Sequence, residues 1–210
     1  MSDVAENLAE AFLTLGSACL GDTGGRTMAE RVREAWAGAR LAAPAYTVQC
    51  TPGDNLAVHA AVVHAPEGYV LVVDCGDLRE RGYFGEVLTV AAQARGIAGL
   101  VIDGGVRDID AIENHDFPVF SSCIALKSAS KNQPGVIGEP VRVGGATVET
   151  DDWIVADADG VTVVPFEMVE DVLEAGRERA EREAGYFTAL RDGSTTVELL
   201  DLDTSLIEGA

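Results

Sequence analysis

The tightest constraint on the fold comes from two short aliphatic runs, YVLVVDC at residues 69–75 and GLVID at 99–103. Each is bounded by turns and lacks the polar alternation of a strand with one wet face, so each reads as a strand buried on both sides. Residues 86–95 read as a helix, 108–114 as a helical turn, and PVFSSCIAL at 118–126 as a third strand with its continuation. Strands and helices alternating in this way predict a βαβ core with a partly parallel sheet.

Upstream, Val4, Leu8, Ala11, Phe12 and Leu15 recur at helical spacing over 3–15, ahead of a glycine-rich break, GDTGG, at 21–25. A second short helix is expected over 27–35, then a strand at 45–50. The turn TPGDN at 51–55 offers Asp54 or Asn55 to cap a helix over 56–65. After Lys131 the texture changes. Residues 134–164 are short β-like pieces parted by Gly, Pro and Asp, which predicts antiparallel strands, with DADG as a hairpin turn. Pro165 then opens a helix that runs towards DGS at 192–194, leaving 196–210 as a tail.

No internal repeat or long linker divides the chain. Its 210 residues, 47% of them hydrophobic, suit one core and fall short of the length at which cores split, so a single α/β domain over 1–210 is expected. No run approaches the roughly 18 consecutive apolar residues of a membrane helix. The acidic start, MSDVAENLAE, lacks the basic opening and apolar core of a secretory signal, so a cytoplasmic location is expected. Net charge is −20, and residues 149–210 hold 17 of the 35 acidic groups but only 4 of the 15 basic ones. A surface so poor in cations argues against direct contact with nucleic-acid phosphates and reads as a solvated acidic face. Cys19, Cys50, Cys75 and Cys123 are scattered, which predicts buried thiols in place of disulfides or a zinc cage.

Chemistry concentrates in residues 82–108, GYFGEVLTVAAQARGIAGLVIDGGVRD. Gly82 and Gly85 flank two aromatics just before the helix expected from Glu86. A glycine-flanked loop entering a helix exposes N–H groups that can hold a carboxylate or phosphate. The strand at 99–103 then runs into GGVRD, and ligands of α/β sheets collect beyond the carboxyl ends of strands. Arg107 and Asp108 there fit an anion clamp and a metal ligand; a surface turn with a helix cap accounts for them equally well. Asp54 and Asn55 read as a cap with room for a site role. His59 and His64 read as packing or surface residues, and Asp103 as a residue orienting the Arg107 loop. Lys127 and Lys131 either line an entrance or are solvated, and Glu183 or Glu198 could reach a neighbouring subunit's site.

Glu86, the twenty residues 87–106, and the adjacent Arg107 and Asp108 form an ordered set with PGDNLAVHAA, VLVVDCG, KSASK and DADGVTVVP. Over about residues 10–195 this text resembles the RraA-like / 4-hydroxy-4-methyl-2-oxoglutarate aldolase family, whose aldolases carry an acidic residue, twenty intervening residues, then Arg and Asp. The resemblance implies the β/β/α swivelling-domain fold and a class II aldolase. In it Asp108 would hold a divalent metal, Mg²⁺ or Mn²⁺, directly or with help from water, and Glu86 would act on that metal through its waters. Arg107 would grip the oxygens of a 2-oxo acid with its planar fork. The backbone amides of Gly85, Glu86, Val87 and Leu88 would hold the substrate carboxylate. Breaking the C3–C4 bond of a 4-hydroxy-2-oxo acid leaves the enolate of pyruvate, whose charge a Lewis acid and a fixed guanidinium disperse. Oxaloacetate decarboxylation passes through the same enolate. Lys127 and Lys131, the only lysines, lie outside the clamp segment, so no Schiff base is needed.

The rival reading is a regulator, since one branch of the family binds and inhibits an RNA-degrading endonuclease. That branch has Gln after the Arg, whereas this chain keeps Asp108, and the difference favours the enzyme. A methyltransferase reading finds no glycine-rich nucleotide loop to support it. The resemblance also implies a homotrimer or a hexamer built as a dimer of trimers, closed by cyclic symmetry. Light scattering is expected to show one of these; a monomer at micromolar concentration refutes the ring.

Overall fold

The computed structural model describes residues 3–208. Helix α1 (Asp3–Asp22) is followed by two very short strands, β1 (Arg26–Thr27) and β2 (Arg33–Glu34), and by the long β3 (Leu41–Gln49). Then come α2 (Leu56–His64), β4 (Val70–Asp74), β5 (Gly82–Phe84), α3 (Glu86–Gln93), β6 (Gly99–Val106), α4 (Ile109–Asn114) and β7 (Val119–Ile124). The second half holds β8 (Val136–Ile137), a hairpin of β9 (Val141–Val143) and β10 (Ala146–Val148), a hairpin of β11 (Trp153–Asp157) and β12 (Gly160–Val164), and α5 (Val169–Arg191). Two single-turn helices, α6 (Thr196–Leu199) and α7 (Ser205–Glu208), follow within the expected tail.

The main sheet runs β1-β12-β11-β3-β4-β6-β7-β2, with β5 added beside β6 and β8 beside β3. β3, β4, β6 and β7 are parallel, as the buried aliphatic runs predict, and the β11, β12 and β1 side is antiparallel. β1 and β2 sit on opposite edges, yet only five residues separate them. Five residues reach about 20 Å at most, whereas eight strands laid flat would span about 34 Å. The sheet therefore curls until its edges approach each other.

This crossing corrects the helix expected over 27–35. Met28 and Val32 are both buried, and their spacing of four suits a helix face. The local backbone donors go elsewhere, however: Met28 N–H to Val161 O at 2.9 Å and Ala29 N–H to Gly144 O at 2.7 Å. Pairing of Arg26 with Val163 and of Arg33 with Ser121 fixes the two ends. Tertiary pairing overrides the helical spacing.

Curling splits the core into an inside and an outside. Along β4, Val70 and Val72 face the interior with Ala43, Val101, Ile154 and Val163. Leu71 and Val73 face outwards beneath α2 and α3, against Val58, Ala61, Leu88 and Ala92. On the antiparallel side Trp153 and Val155 lie beneath α1 and α5, with Phe12 and Trp153 rings 5.4 Å apart. Each such side chain contributes about 1.5–3 kcal/mol by leaving water. The β9–β10 hairpin plugs one end of the interior with Val141, Val143, Ala146 and Val148. Its turn, Gly144–Gly145, has φ of 57° and 84°, the left-handed pair that a two-residue hairpin needs.

Asp103 is a second correction. It was expected to orient the Arg107 loop, but by the two-residue alternation of β6 it shares the inner face with Val101, opposite the outer face of Leu100, Ile102 and Val106. Asp103 consequently takes Arg31 at 3.0 and 2.7 Å and Arg79 at 2.9 Å. It also accepts the Gly144 N–H at 3.3 Å, which joins the edge crossing, the loop after β4 and the plug. Burial pushes its carboxyl up, but the Arg31 and Arg79 guanidiniums outweigh that and hold it below the usual carboxylate value. Asp103→Ala is expected to lower the unfolding free energy by about 2–3 kcal/mol at neutral pH. Because the folded value is depressed, this contribution is complete above about pH 4 and fades as pH falls through the folded value. Urea unfolding of both proteins at pH 7 and at acid pH checks it; an equal gap at both pH values refutes the ion-pair account.

Candidate functional site

β5 is an addition to the expected picture: residues 82–84 form a strand parallel to β6 where a loop was expected. The approach is close enough that a Cβ on Gly105 would stand 2.5 Å from Arg81 O. The pairing carries Gly85 alongside Arg107 and Asp108, with Arg107 N–H donating to Phe84 O at 3.0 Å. Asp108 adopts a left-handed backbone, φ 60°, at the N-cap of α4, a conformation that Asp tolerates better than most residues. Its Oδ2 accepts the Glu86 N–H of α3 at 3.1 Å. A Cβ at Gly85 would lie 2.5 Å from that oxygen, so a larger residue there would push the carboxylate off the helix N-terminus. Arg107 stretches across Gly82, donates from Nη1 to Ser128 Oγ at 2.9 Å, and keeps Nε 3.7 Å from Asp108 Oδ2.

The facing wall comes from α2 and the loop over 128–133, and Asp54 holds the two together. Its Oδ1 accepts the Leu56 N–H at 2.9 Å, an Asx turn one residue ahead of the N-cap Asn55, whose own side chain makes no capping bond. Its Oδ2 accepts Ser130 Oγ at 2.6 Å and the N–H groups of Asn132 and Gln133 at 2.6 and 3.1 Å. Burial raises this carboxyl, yet the hydrogen bonds from Ser130, Asn132, Leu56 and Gln133 bring it down to about 2. Tyr83 locks the base of the cleft: its OH donates to Leu78 O and accepts the Gly53 N–H, both at 2.6 Å, and burial pushes it up to about 12. The resulting cleft of about 210 Å³ is bordered by Gly85, Val87, Leu88, Arg107 and Asp108 on one side and Asn55, His59, Ser128 and Lys131 on the other.

A family model named RraA-like, described as aldolase/RraA, matches residues 2–163 of the chain. The chain belongs to the RraA-like family. A protein of Halalkalibacterium halodurans, provisionally named 4-hydroxy-4-methyl-2-oxoglutarate aldolase, is 35% identical over 88% of this chain and 89% of its own. Among solved structures, an uncharacterized protein of Pseudomonas syringae superimposes with a TM-score of 0.81 and 27% identity over 94% of both chains. The RNA-processing inhibitor RraA of Thermus thermophilis superimposes with a TM-score of 0.65 and 26% identity, covering 71% of this chain and 92% of that one. The mixed α/β architecture is that of the RraA-like neighbours.

Of the residues expected to act, Arg107, Asp108, Gly85, Val87 and Leu88 border one cleft. Glu86 contributes its N–H to Asp108, while its carboxylate turns to His115 Nε2 at 3.6 Å, away from the residues bordering the cleft. Lys131 reaches the cleft, whereas Lys127 presents its carbonyl to the Gly82 N–H at 2.8 Å. His64 is exposed, Glu183 pairs with Arg179 at 2.8 Å, and Glu198 forms a capping box with Thr195. His59, expected as packing or surface, borders the cleft. Its four-residue spacing from Asn55 is the signal that finds it, since such residues share a helix face.

The first turn of α3 leaves N–H groups without acceptors inside the helix, and its dipole adds positive potential. With Arg107 beside it, this end of the cleft suits a carboxylate. Among the described residues no three His, Cys, Asp or Glu side chains gather as a metal cage. One carboxylate, Asp108, fits a hard cation such as Mg²⁺, which keeps most of its own water, and does not fit a tetrahedral zinc site.

The Asp54 network generates its own test. Asp54→Asn is expected to speed amide exchange of Asn132 and Gln133 by at least about tenfold, the loss of hydrogen bonds to a charge. In the wild type, with a depressed folded value, protection should persist below pH 4 and fade only as pH approaches 2. Exchange followed by NMR checks both, and unchanged rates in the variant refute the role.

Proposed function

We propose that this protein is a lyase that cleaves a 4-hydroxy-2-oxo acid to pyruvate with the help of a divalent cation, and that it also decarboxylates oxaloacetate. The observation carrying this reading is the seating of the Asp108 carboxylate on the N-terminus of α3 with Arg107 alongside. Each of these groups answers a requirement of the reaction. The amides of Val87 and Leu88, in the first turn of α3 beside the cleft, would receive a substrate carboxylate. Arg107, steadied by Ser128, presents a rigid fork to the 2-oxo acid's oxygens and opposes the negative charge that grows on the 2-oxo group. Mg²⁺ or Mn²⁺ held by Asp108 would supply Lewis-acid polarisation of that group. Glu86, whose carboxylate turns to His115, would act on that cation only through intervening water. Asp108, the carboxylate directly after Arg107 that can hold a cation, favours the enzyme over the inhibitor reading.

Pyruvate release from 4-hydroxy-2-oxo acids, measured with Mg²⁺ and with chelator, tests the reading. Asp108→Ala should abolish cation-dependent turnover while the protein still melts cooperatively, and Glu86→Gln should slow it. Arg107→Lys keeps the charge but loses the two-point geometry, so kcat should fall by at least about a hundredfold. Oxalate, a planar stand-in for the enolate, should inhibit the wild type well and that variant poorly. Full activity in Asp108→Ala, or equal oxalate inhibition of wild type and Arg107→Lys, would overturn the assignment.

A further inference from the structure

Cleaving a 4-hydroxy-2-oxo acid requires a base, because the C4 hydroxyl must lose its proton as the C3–C4 bond breaks. Three side chains near the cleft are candidates. Asp108 Oδ2 is engaged with the Glu86 N–H at 3.1 Å and stands 3.7 Å from Arg107 Nε. The Glu86 carboxylate faces His115 and does not border the cleft. His59 does border it, and among the described residues its Nε2 is buried without a hydrogen-bond partner.

Asn55 strengthens the case. It is 4% exposed, it borders the same cleft, and its Oδ1 is also buried and unpartnered. Its Nδ2 is committed to Tyr83 O at 2.7 Å, which leaves the oxygen as the free end of the amide. Asn55 and His59 lie one turn apart on α2, with His59 N–H donating to Asn55 O at 3.2 Å, so their side chains share a face. Buried polar atoms are nearly always paired in a folded protein. Two unpaired ones on a single helix face mark a wall that meets a hydrogen-bond donor from the ligand.

We infer that His59 is the catalytic base that takes the proton of the aldol hydroxyl, an assignment that rests on the aldolase reading above. Nε2 accepts the proton from the C4 oxygen. The O–H electron pair becomes the new C=O bond, and the C3–C4 pair moves into C2–C3, leaving pyruvate enolate with its charge on the C2 oxygen. The imidazolium then returns the proton to C3, so pyruvate and the carbonyl product leave with no net gain or loss of protons. Burial and then the Lys131 cation hold His59 below the usual histidine value, against the Asp54 carboxylate, while Arg107 and Asp108 are the other charged groups bordering the cleft. The ring is thus neutral at pH 7, with a lone pair to offer.

The test uses the full chain, Mg²⁺ and 4-hydroxy-4-methyl-2-oxoglutarate. Wild-type kcat/KM should fall at acid pH along a limb centred below about 6.5. His59→Gln should lower kcat by at least about a hundredfold and remove that limb. Calorimetric binding of oxalate in the presence of Mg²⁺ should stay within about twofold in the variant, because losing a proton acceptor weakens the transition state more than the ground state. A variant within about tenfold of wild type overturns the assignment. An unchanged acid limb, or oxalate binding lost in parallel with kcat, overturns it too. If wild type cleaves no 4-hydroxy-2-oxo acid, the aldolase reading fails and takes this one with it; wild-type cleavage with an unaffected His59→Gln fails this one alone.

Discussion

The architecture depends on one short crossing of the chain between β1 and β2. Because those strands pair with β12 and β7 at opposite edges, the sheet has to curl until the edges approach, and the curl turns every other residue of its strands inwards. The helices are then confined to the outside in two layers, α2, α3 and α4 over the parallel half and α1 with α5 over the antiparallel half. The cleft forms beyond the carboxyl ends of the parallel strands, where β5 and β6 run side by side and deliver Gly85 against Asp108. A straighter sheet would still bury its valines, but β9–β10 would have no interior to plug and Asp103 no crossing segment to hold.

Three aspartates show how environment assigns different work to one side chain. Asp103 lies between two arginines and ties three segments together. Asp54 is surrounded by a hydroxyl and three amides, and its work is to hold the wall carrying Ser128 and Lys131 against α2. Asp108 is the one placed half in solvent, with a single amide as its main partner, and so retains oxygen lone pairs for a ligand. Strong internal pairing makes a carboxylate a structural tie, and incomplete pairing leaves it free for chemistry.

Much of this was legible in the sequence where local and tertiary demands agree. The aliphatic runs at 69–75 and 99–103 are buried on both faces because helices and interior cover them, and the DADG turn joins β11 to β12 as its residues favour. Arg107 and Asp108, singled out by their spacing from Glu86, border the candidate cleft, whereas Glu86 does not. What stayed hidden was set by long-range geometry. Asp103 meets Arg31 and Arg79 only because the crossing and the loop after β4 are brought to the inner face, pairing at both edges removed the helix expected at 27–35, and the side-chain direction of Glu86 depends on His115 across from it. His59 joins the cleft only because the 128–133 loop is drawn over it by Asp54, seventy-six or more residues before its partners in that loop.

The charge distribution raises a last question: how a chain of net charge −20 keeps a cleft with positive walls. Screening answers it. At physiological ionic strength, charges beyond about 8 Å are largely muted for exposed groups, so the potential inside a cleft is set by its own walls. Those walls hold Arg107, Lys131 and the N-terminus of α3, against one carboxylate, Asp108, whose charge is partly offset by the Glu86 amide and by Arg107. Much of the acidic excess belongs to residues 149–210, whose long helix α5 packs with α1 on the antiparallel half, in the other helix layer from α2 and α3. The fold thereby separates an acidic exterior from a cleft whose own walls are locally positive.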